Sequence, residues 1–162
     1  MFGKLTAVIE QHLTRALQEV LEQNIVLKVN RDFKRGAATM SFHVERDGHK
    51  EDIMKGQGGS VVNILSVGLR LLALKTLDHE KHRRFLVLDE QDCWLRPDLV
   101  PRLVKIVAEA GKQMGFQILM ISHHDPAIFQ RYADRVYSFV PEKDGSVRVE
   151  LASDEPGSSD RD

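Results

Sequence analysis

The sequence predicts an α/β fold: a mainly parallel sheet with flanking helices, plus a small antiparallel hairpin early in the chain. Three observations carry that expectation. Phe85-Leu86-Val87-Leu88 is a continuous apolar run ending in Asp89-Glu90, and Ile118-Leu119-Met120-Ile121 is another ending in Ser122-His123-His124. Short apolar runs of this kind read as strands of a buried parallel sheet. Strand and helix patterns alternate from Arg84 onward, as βαβ units do. Asp47-Gly48, between two strand-like stretches, marks a tight hairpin turn.

The elements follow in order. Leu5, Ile9, Leu13, Leu17, Val20 and Leu21 recur at helical spacing and predict an amphipathic helix over 4–23, stopped at Asn24. Residues 25–29 and 38–44 read as strands, with a third short strand near 50–53 after the Asp47-Gly48 turn. Gly56-Gln57-Gly58-Gly59 then opens into a long helix rich in Val, Ile and Leu from Val62 to Leu74. Being apolar nearly all round, that helix is expected between layers. Further on come a strand (84–88), a helix (98–114) led by Pro97 and Pro101, a strand (117–121), a short helix (126–132) and a strand (134–140). Residues 147–151 are expected to form a last strand after the Asp144-Gly145 turn. The organisation expected is one lobe over 1–152 and a polar, disordered tail over 153–162.

Bulk properties narrow the classes. A chain of 162 residues suits one domain with a hydrophobic core. Its 23 basic and 24 acidic side chains balance, so net charge gives no argument for nucleic acid or membrane binding. The single cysteine, Cys93, excludes an internal disulfide framework and fits a reducing compartment. No apolar run is expected to reach the roughly 20 residues that span a bilayer. A cytoplasmic protein without membrane contact is the expectation. Lys81, His82, Arg83 and Arg84 form a basic cluster at the far end of the strand from its acids, read as a solvated face.

Three groups of residues carry candidate chemistry. Asp89 at a strand end suits magnesium, and Glu90 suits orienting or deprotonating an attacking water; a strand that simply ends in solvated acids is the other reading. Gly58-Gly59 before a helix lets backbone N–H groups approach an anion, or is a loop capped by Ser60. His123 at a strand end suits a phosphate oxygen, or is an ordinary loop histidine. His124 and Asp125 beside it raise a metal reading, while Asp125-Pro126 also fits a plain helix start. No G-x-x-x-x-G-K-[ST] phosphate loop occurs anywhere in the chain.

The order of these parts resembles the C-terminal lobe of an ABC-type ATPase head, in the SMC/RecF-like branch that includes double-strand-break repair and phage recombination ATPases. The resemblance covers roughly residues 5–140. It implies a P-loop NTPase fold and makes 85–90 the Walker B strand, with Asp89 on the magnesium shell and Glu90 as the catalytic glutamate. His123 would be the switch histidine. Lys55 to Gly59 and the helix starting at Ser60 would be the signature segment, contacting ATP held by an opposite subunit, with Gln57, Gly58, Gly59 and Ser60 as its nucleotide-binding residues. The helix over 1–23 would be the root of a coiled coil, and Asp134-Arg135-Val136-Tyr137 would lead into the final core strand.

The chain departs from the family pattern in two places. Gln57 stands where the family's Leu-Ser-Gly-Gly has serine, leaving Ser60 as the nearest hydroxyl. Arg96 stands where the D-loop aspartate is expected, and Asp98 lies two positions late. Trp94 reads as a packing residue or a base-stacking platform. The function implied is ATP binding and hydrolysis with magnesium in DNA repair, recombination or replication. It needs a Walker A half from an N-terminal segment or a second subunit, in a homo- or hetero-oligomer that also engages DNA. Two alternatives stand beside it: a non-catalytic interaction module that binds a partner lobe or DNA, and an unrelated metal-dependent phosphohydrolase using Asp89, Glu90, His123 and His124.

Overall fold

A computed structural model describes residues 2–34, 37–56, 58–78 and 80–153. Of the tail predicted over 153–162, Ser153 ends the last strand and the rest lies outside the described residues, as does the candidate Gln57.

The first helix, α1 (Phe2–Leu21), lays Ile9, Leu13, Leu17, Val20 and Leu21 into the core at three- and four-residue spacing. It ends three residues before the predicted stop at Asn24. Glu22 takes a left-handed conformation (φ 54°) and its N–H closes on the Gln18 carbonyl at 3.0 Å. The chain then enters β1 (Ile25–Lys34), paired antiparallel with β2 (Ala37–Arg46), so that Leu27 faces Val44. Polar side chains of α1 serve one edge of β1: Thr14 Oγ1 and Glu10 Oε1 accept the N–H groups of Leu27 (2.9 Å) and Val29 (2.7 Å). Gln18 Nε2 donates to the Ile25 carbonyl at 3.0 Å, so this edge is covered against stray pairing. Asp47 (φ 50°) and Gly48 (φ 80°) both lie in left-handed space, the requirement of a two-residue hairpin turn into β3 (His49–Glu51).

A short turn of helix, α2 (Ile53–Gly56), precedes α3 (Gly58–Thr76). Helix α3 buries Val61, Ile64, Leu65, Val67 and Leu71 in the same cluster as the α1 side chains. Val62, Leu69, Leu72 and Leu74 remain half-buried, so the helix is covered on one side, not sandwiched as its composition suggests. By length and composition α3 is apolar enough to cross a membrane (19 residues, mean hydropathy 1.3). This corrects the expectation that no apolar run reaches spanning length; here its buried stripe serves as a core helix against α1.

Strand β4 (Phe85–Asp89) runs parallel to β5 (Gln117–Ile121) through the crossover helix α4 (Val100–Met114). The helix closes on the strand pair with Val100, Leu103, Val104 and Val107, which join Leu86 and Leu88 in the core. A four-residue helix, α5 (Ala127–Gln130), leads to the hairpin β6 (Val136–Pro141) and β7 (Val147–Ser153). The mainly parallel sheet expected from sequence is not formed. Among the described residues the strands make three separate sheets, β1-β2-β3, β4-β5 and β6-β7, and only β4-β5 is parallel. The physical reason is local: β6 turns back on β7 through Asp144-Gly145, and only two residues separate β1 from β2 and β2 from β3, too few for a parallel crossover. The early antiparallel unit is also larger than predicted, with two ten-residue strands.

The apolar runs that predicted buried strands are covered on one face only. Leu86 and Leu88 are buried, whereas Phe85 and Val87, with Leu119 and Ile121 beside them on β5, are each more than two-fifths exposed.

Candidate functional site

The site is built at the carboxyl ends of β4 and β5. Asp89 is the last residue of β4 and is exposed. Glu90 then leaves the strand in a left-handed conformation (φ 47°), a strained position for a residue with a side chain. Its N–H donates to the Ile121 carbonyl at 2.9 Å, which holds the bend against the end of β5. That bend explains how neighbouring strand residues come to serve one place: the alternation of faces breaks at Glu90.

His123 lies just past the end of β5. Its Nδ1 is 4.0 Å from Glu90 Oε1, within ion-pair range but beyond a hydrogen bond, and both side chains are about 60% exposed. Its ring stacks on His124 (centroids 4.9 Å apart, planes 23° apart). Exposed charge pairs at this distance contribute little to stability, so the arrangement places an acid and an imidazole side by side, open to a ligand.

The sequence did not single out Asp92 and Ser122, which tie the two loops together. Asp92 is fully buried, and its Oδ2 accepts the Ser122 hydroxyl at 2.5 Å. Ser122 Oγ in turn accepts the N–H of His124 at 3.1 Å. The only sequence signal was an acid three residues after Asp89, a spacing compatible with a turn folding back on the strand end.

The glycine-rich helix start reaches the same end of the molecule. Gly58 is left-handed (φ 68°), and Gly59 lies directly against Trp94: a Cβ there would meet Trp94 Cγ at 2.3 Å. Asn63 Nδ2, one turn into α3, is 3.8 Å from Cys93 Sγ. Trp94 is therefore a packing residue at its base, although it is 69% exposed overall. Ser60 is half-buried in the first turn of α3. Arg96 and Asp98 satisfy each other through a fork of two bonds, Nε to Oδ1 at 3.0 Å and Nη2 to Oδ2 at 2.5 Å. That fork holds the Asp98 carboxyl below its ordinary value.

Magnesium is commonly held by one or two carboxylates together with water and substrate phosphates. Asp89 fits that use: it is an exposed carboxylate at the strand end, beside the Glu90–His123 pair. A self-sufficient metal centre is not formed. Among the described residues no three His, Cys, Asp or Glu side chains converge to hold an ion, and His124 Nε2 is buried.

No family model and no curated protein matches this sequence. Solved structures do match its fold. One, from work on ATP-driven dimerization and DNA-stimulated activation of SMC ATPases, superposes with a TM-score of 0.65 at 14% identity, covering 94% of this chain and 88% of the other. The SMC head of Pyrococcus furiosus, with an extended coiled coil and bound to the C-terminal domain of ScpA, gives 0.68 at 15% identity over 94% of this chain and 36% of its own length. The SMC head of Thermotoga maritima gives 0.55 at 16% identity, over 90% of this chain and 47% of that one. The chain therefore has the fold of an SMC head fragment, spanning most of the first of these chains and less than half of the other two.

Proposed function

We propose that this chain is the C-terminal half of an SMC/RecF-like ATPase head, binding and hydrolysing ATP once a Walker A half is supplied, in DNA repair, recombination or replication in the cytoplasm. The observation that carries the reading is the convergence of Glu90 and His123 at the ends of two adjacent parallel strands. Ligands collect at the carboxyl ends of such strands. The uncovered face of Phe85, Val87, Leu119 and Ile121 supports a missing partner lobe. Helix α1, in this reading, continues from a coiled coil.

In this mechanism Asp89 holds the water shell of magnesium, which when bound draws charge from the phosphate oxygens. Glu90 accepts a hydrogen bond from the attacking water and takes its proton as the oxygen approaches the γ-phosphorus. The left-handed backbone at Glu90 takes the chain out of the strand line, with the carboxylate 4.0 Å from His123 Nδ1. His123 donates to a γ-phosphate oxygen, where charge gathers during transfer. Gly58, Gly59 and Ser60, with Gln57, close over nucleotide held by an opposite subunit through backbone N–H groups and the Ser60 hydroxyl.

The test is a titration of ATP binding and hydrolysis by the chain with and without candidate Walker A-containing halves. Turnover is expected only on mixing, and Glu90→Gln is expected to abolish it while leaving nucleotide binding in place. Magnesium-dependent turnover by the chain alone, lost in Glu90→Gln, would overturn the half-site reading. An assembled pair that binds ATP without turning it over would leave the interaction-module reading in its place.

A further inference from the structure

We propose that Asp92 is a positioning residue: it sets the direction of His123 by locking the turn after β5 to the turn after β4. A fully buried carboxylate is uncommon and has to be held by hydrogen bonds. Here the hydrogen-bond chain runs from the His124 N–H to Ser122 Oγ (3.1 Å), and from the Ser122 hydroxyl to Asp92 Oδ2 (2.5 Å). Each bond polarises the next, and the terminal acceptor is a carboxyl oxygen of Asp92. In the turn after β4 Asp92 is anchored by its own backbone, its carbonyl accepting the Leu95 N–H at 2.9 Å. The Glu90 N–H to Ile121 carbonyl bond makes a second tie between the same two turns.

His123 is the residue between the two tied positions, Ser122 and His124. Its backbone is fixed on both sides, and its ring is stacked on His124. The 4.0 Å separation from Glu90 therefore depends on a bond that neither residue makes. Asp92 is also an expensive way to fill a core position, since its Oδ1 and the neighbouring His124 Nε2 are buried without partners among the described residues. An apolar side chain would pack there at less cost but could not grip Ser122. The placement fits geometry at the site better than it fits stability.

The catalytic consequence rests on the ATPase reading, whereas the latch itself does not, so two measurements separate them. In the chain alone, NMR follows hydrogen exchange of the His124 amide and the ring signals of His123. Ser122→Ala and Asp92→Ala are each expected to speed His124 exchange about tenfold or more and to move the His123 signals alike. The double variant should go no further than either single, and Ser122→Thr, which keeps the hydroxyl, should restore both readouts. In the chain mixed with a Walker A half, the same two variants are expected to lower kcat about tenfold while KM for ATP stays within about twofold.

Unchanged His124 exchange and His123 signals in a folded variant would overturn the latch, as would effects that multiply in the double variant. A latch confirmed in the chain alone but with kcat untouched would overturn the positioning role. If Asp92→Ala does not fold, Ser122→Ala decides. If wild-type halves hydrolyse no ATP together, the ATPase reading has failed, and the exchange measurement still decides the latch.

Discussion

Gly59→Ala is the substitution that most directly tests whether the glycine-rich helix start is built against the loop beyond Glu90. A methyl group at this position would lie 2.3 Å from Trp94 Cγ and 2.7 Å from both Cδ2 and Cβ. Real contacts of this type do not fall below 3.0 Å, so the ring must retreat by about 0.7 Å and the Trp94 Cβ by about 0.3 Å. Rotation of the side chain relieves the first overlap, since Trp94 is 69% exposed and free to swing outward. It does not relieve the second, because Cβ moves only with the backbone of the 91–96 loop. In a helix interior alanine is favoured over glycine by about 1 kcal/mol, less in the first turn. Overpacking costs about 1–3 kcal/mol. The expected result is a net loss of about 1 kcal/mol, read by urea unfolding followed by far-UV circular dichroism.

Two accompanying readouts make the test specific. Trp94 is the only tryptophan in the chain, so its emission should change in the folded variant as the ring moves. In a Trp94→Gly background both overlaps are gone, and Gly59→Ala should become neutral or slightly stabilising. The coupling between the two sites is then about 1 kcal/mol, in the range of residues in direct contact. A variant stabilised by the full helix-propensity gain, with Trp94 emission unchanged, would refute the contact and with it the placement of the glycine-rich helix start beside the loop after Glu90.

Three further outcomes are expected. Leu17→Ala, at a fully buried position where α1 meets the core, should destabilise the chain by about 3–5 kcal/mol in a urea titration, a large share of a small domain's stability. Val87→Asp, on the uncovered face of β4, should change the stability of the chain alone by no more than about 0.5 kcal/mol, yet abolish ATPase complementation by a Walker A half. Equal activity of wild type and variant on mixing would show that this face is not the docking surface. Asp98 is held below its ordinary carboxyl value by its bonds to Arg96, so its contribution is present above the unfolded-state value and is lost as pH falls through the lower folded one. Asp98→Asn should therefore lower Tm slightly at neutral pH, and the difference should close in the acid range.

Much of the fold was legible along the chain because its signals are local. The 3- and 4-residue spacing of Ile9, Leu13, Leu17 and Val20 marked α1, and Asp47-Gly48 marked its turn because few other residue pairs accept two left-handed conformations. Gln117–Ile121 is the strand that the apolar run predicted. Helix ends were less legible: α1 stops at Leu21 because Glu22 goes left-handed, a position for which glutamate gives no signal. Sheet membership was the larger miss. Apolar runs say that a strand is wanted on both faces, but not which segment will cover the second face or which strand will be its neighbour.

By itself the sequence determined the acids, the histidine and the glycines, and their order along the chain. That order was enough to identify strand ends as the place where chemistry would gather. Only the tertiary structure decided that Glu90 bends out of its strand to face His123, that Asp92 and Ser122 bind the two loops, and that Gly59 rests on Trp94. These are contacts between residues some thirty positions apart, set by how β4 and β5 lie in register and how α3 packs back toward their ends. The open face of β4 and β5 was decided there too: apolar composition calls for burial on both sides, and this chain supplies the cover for only one.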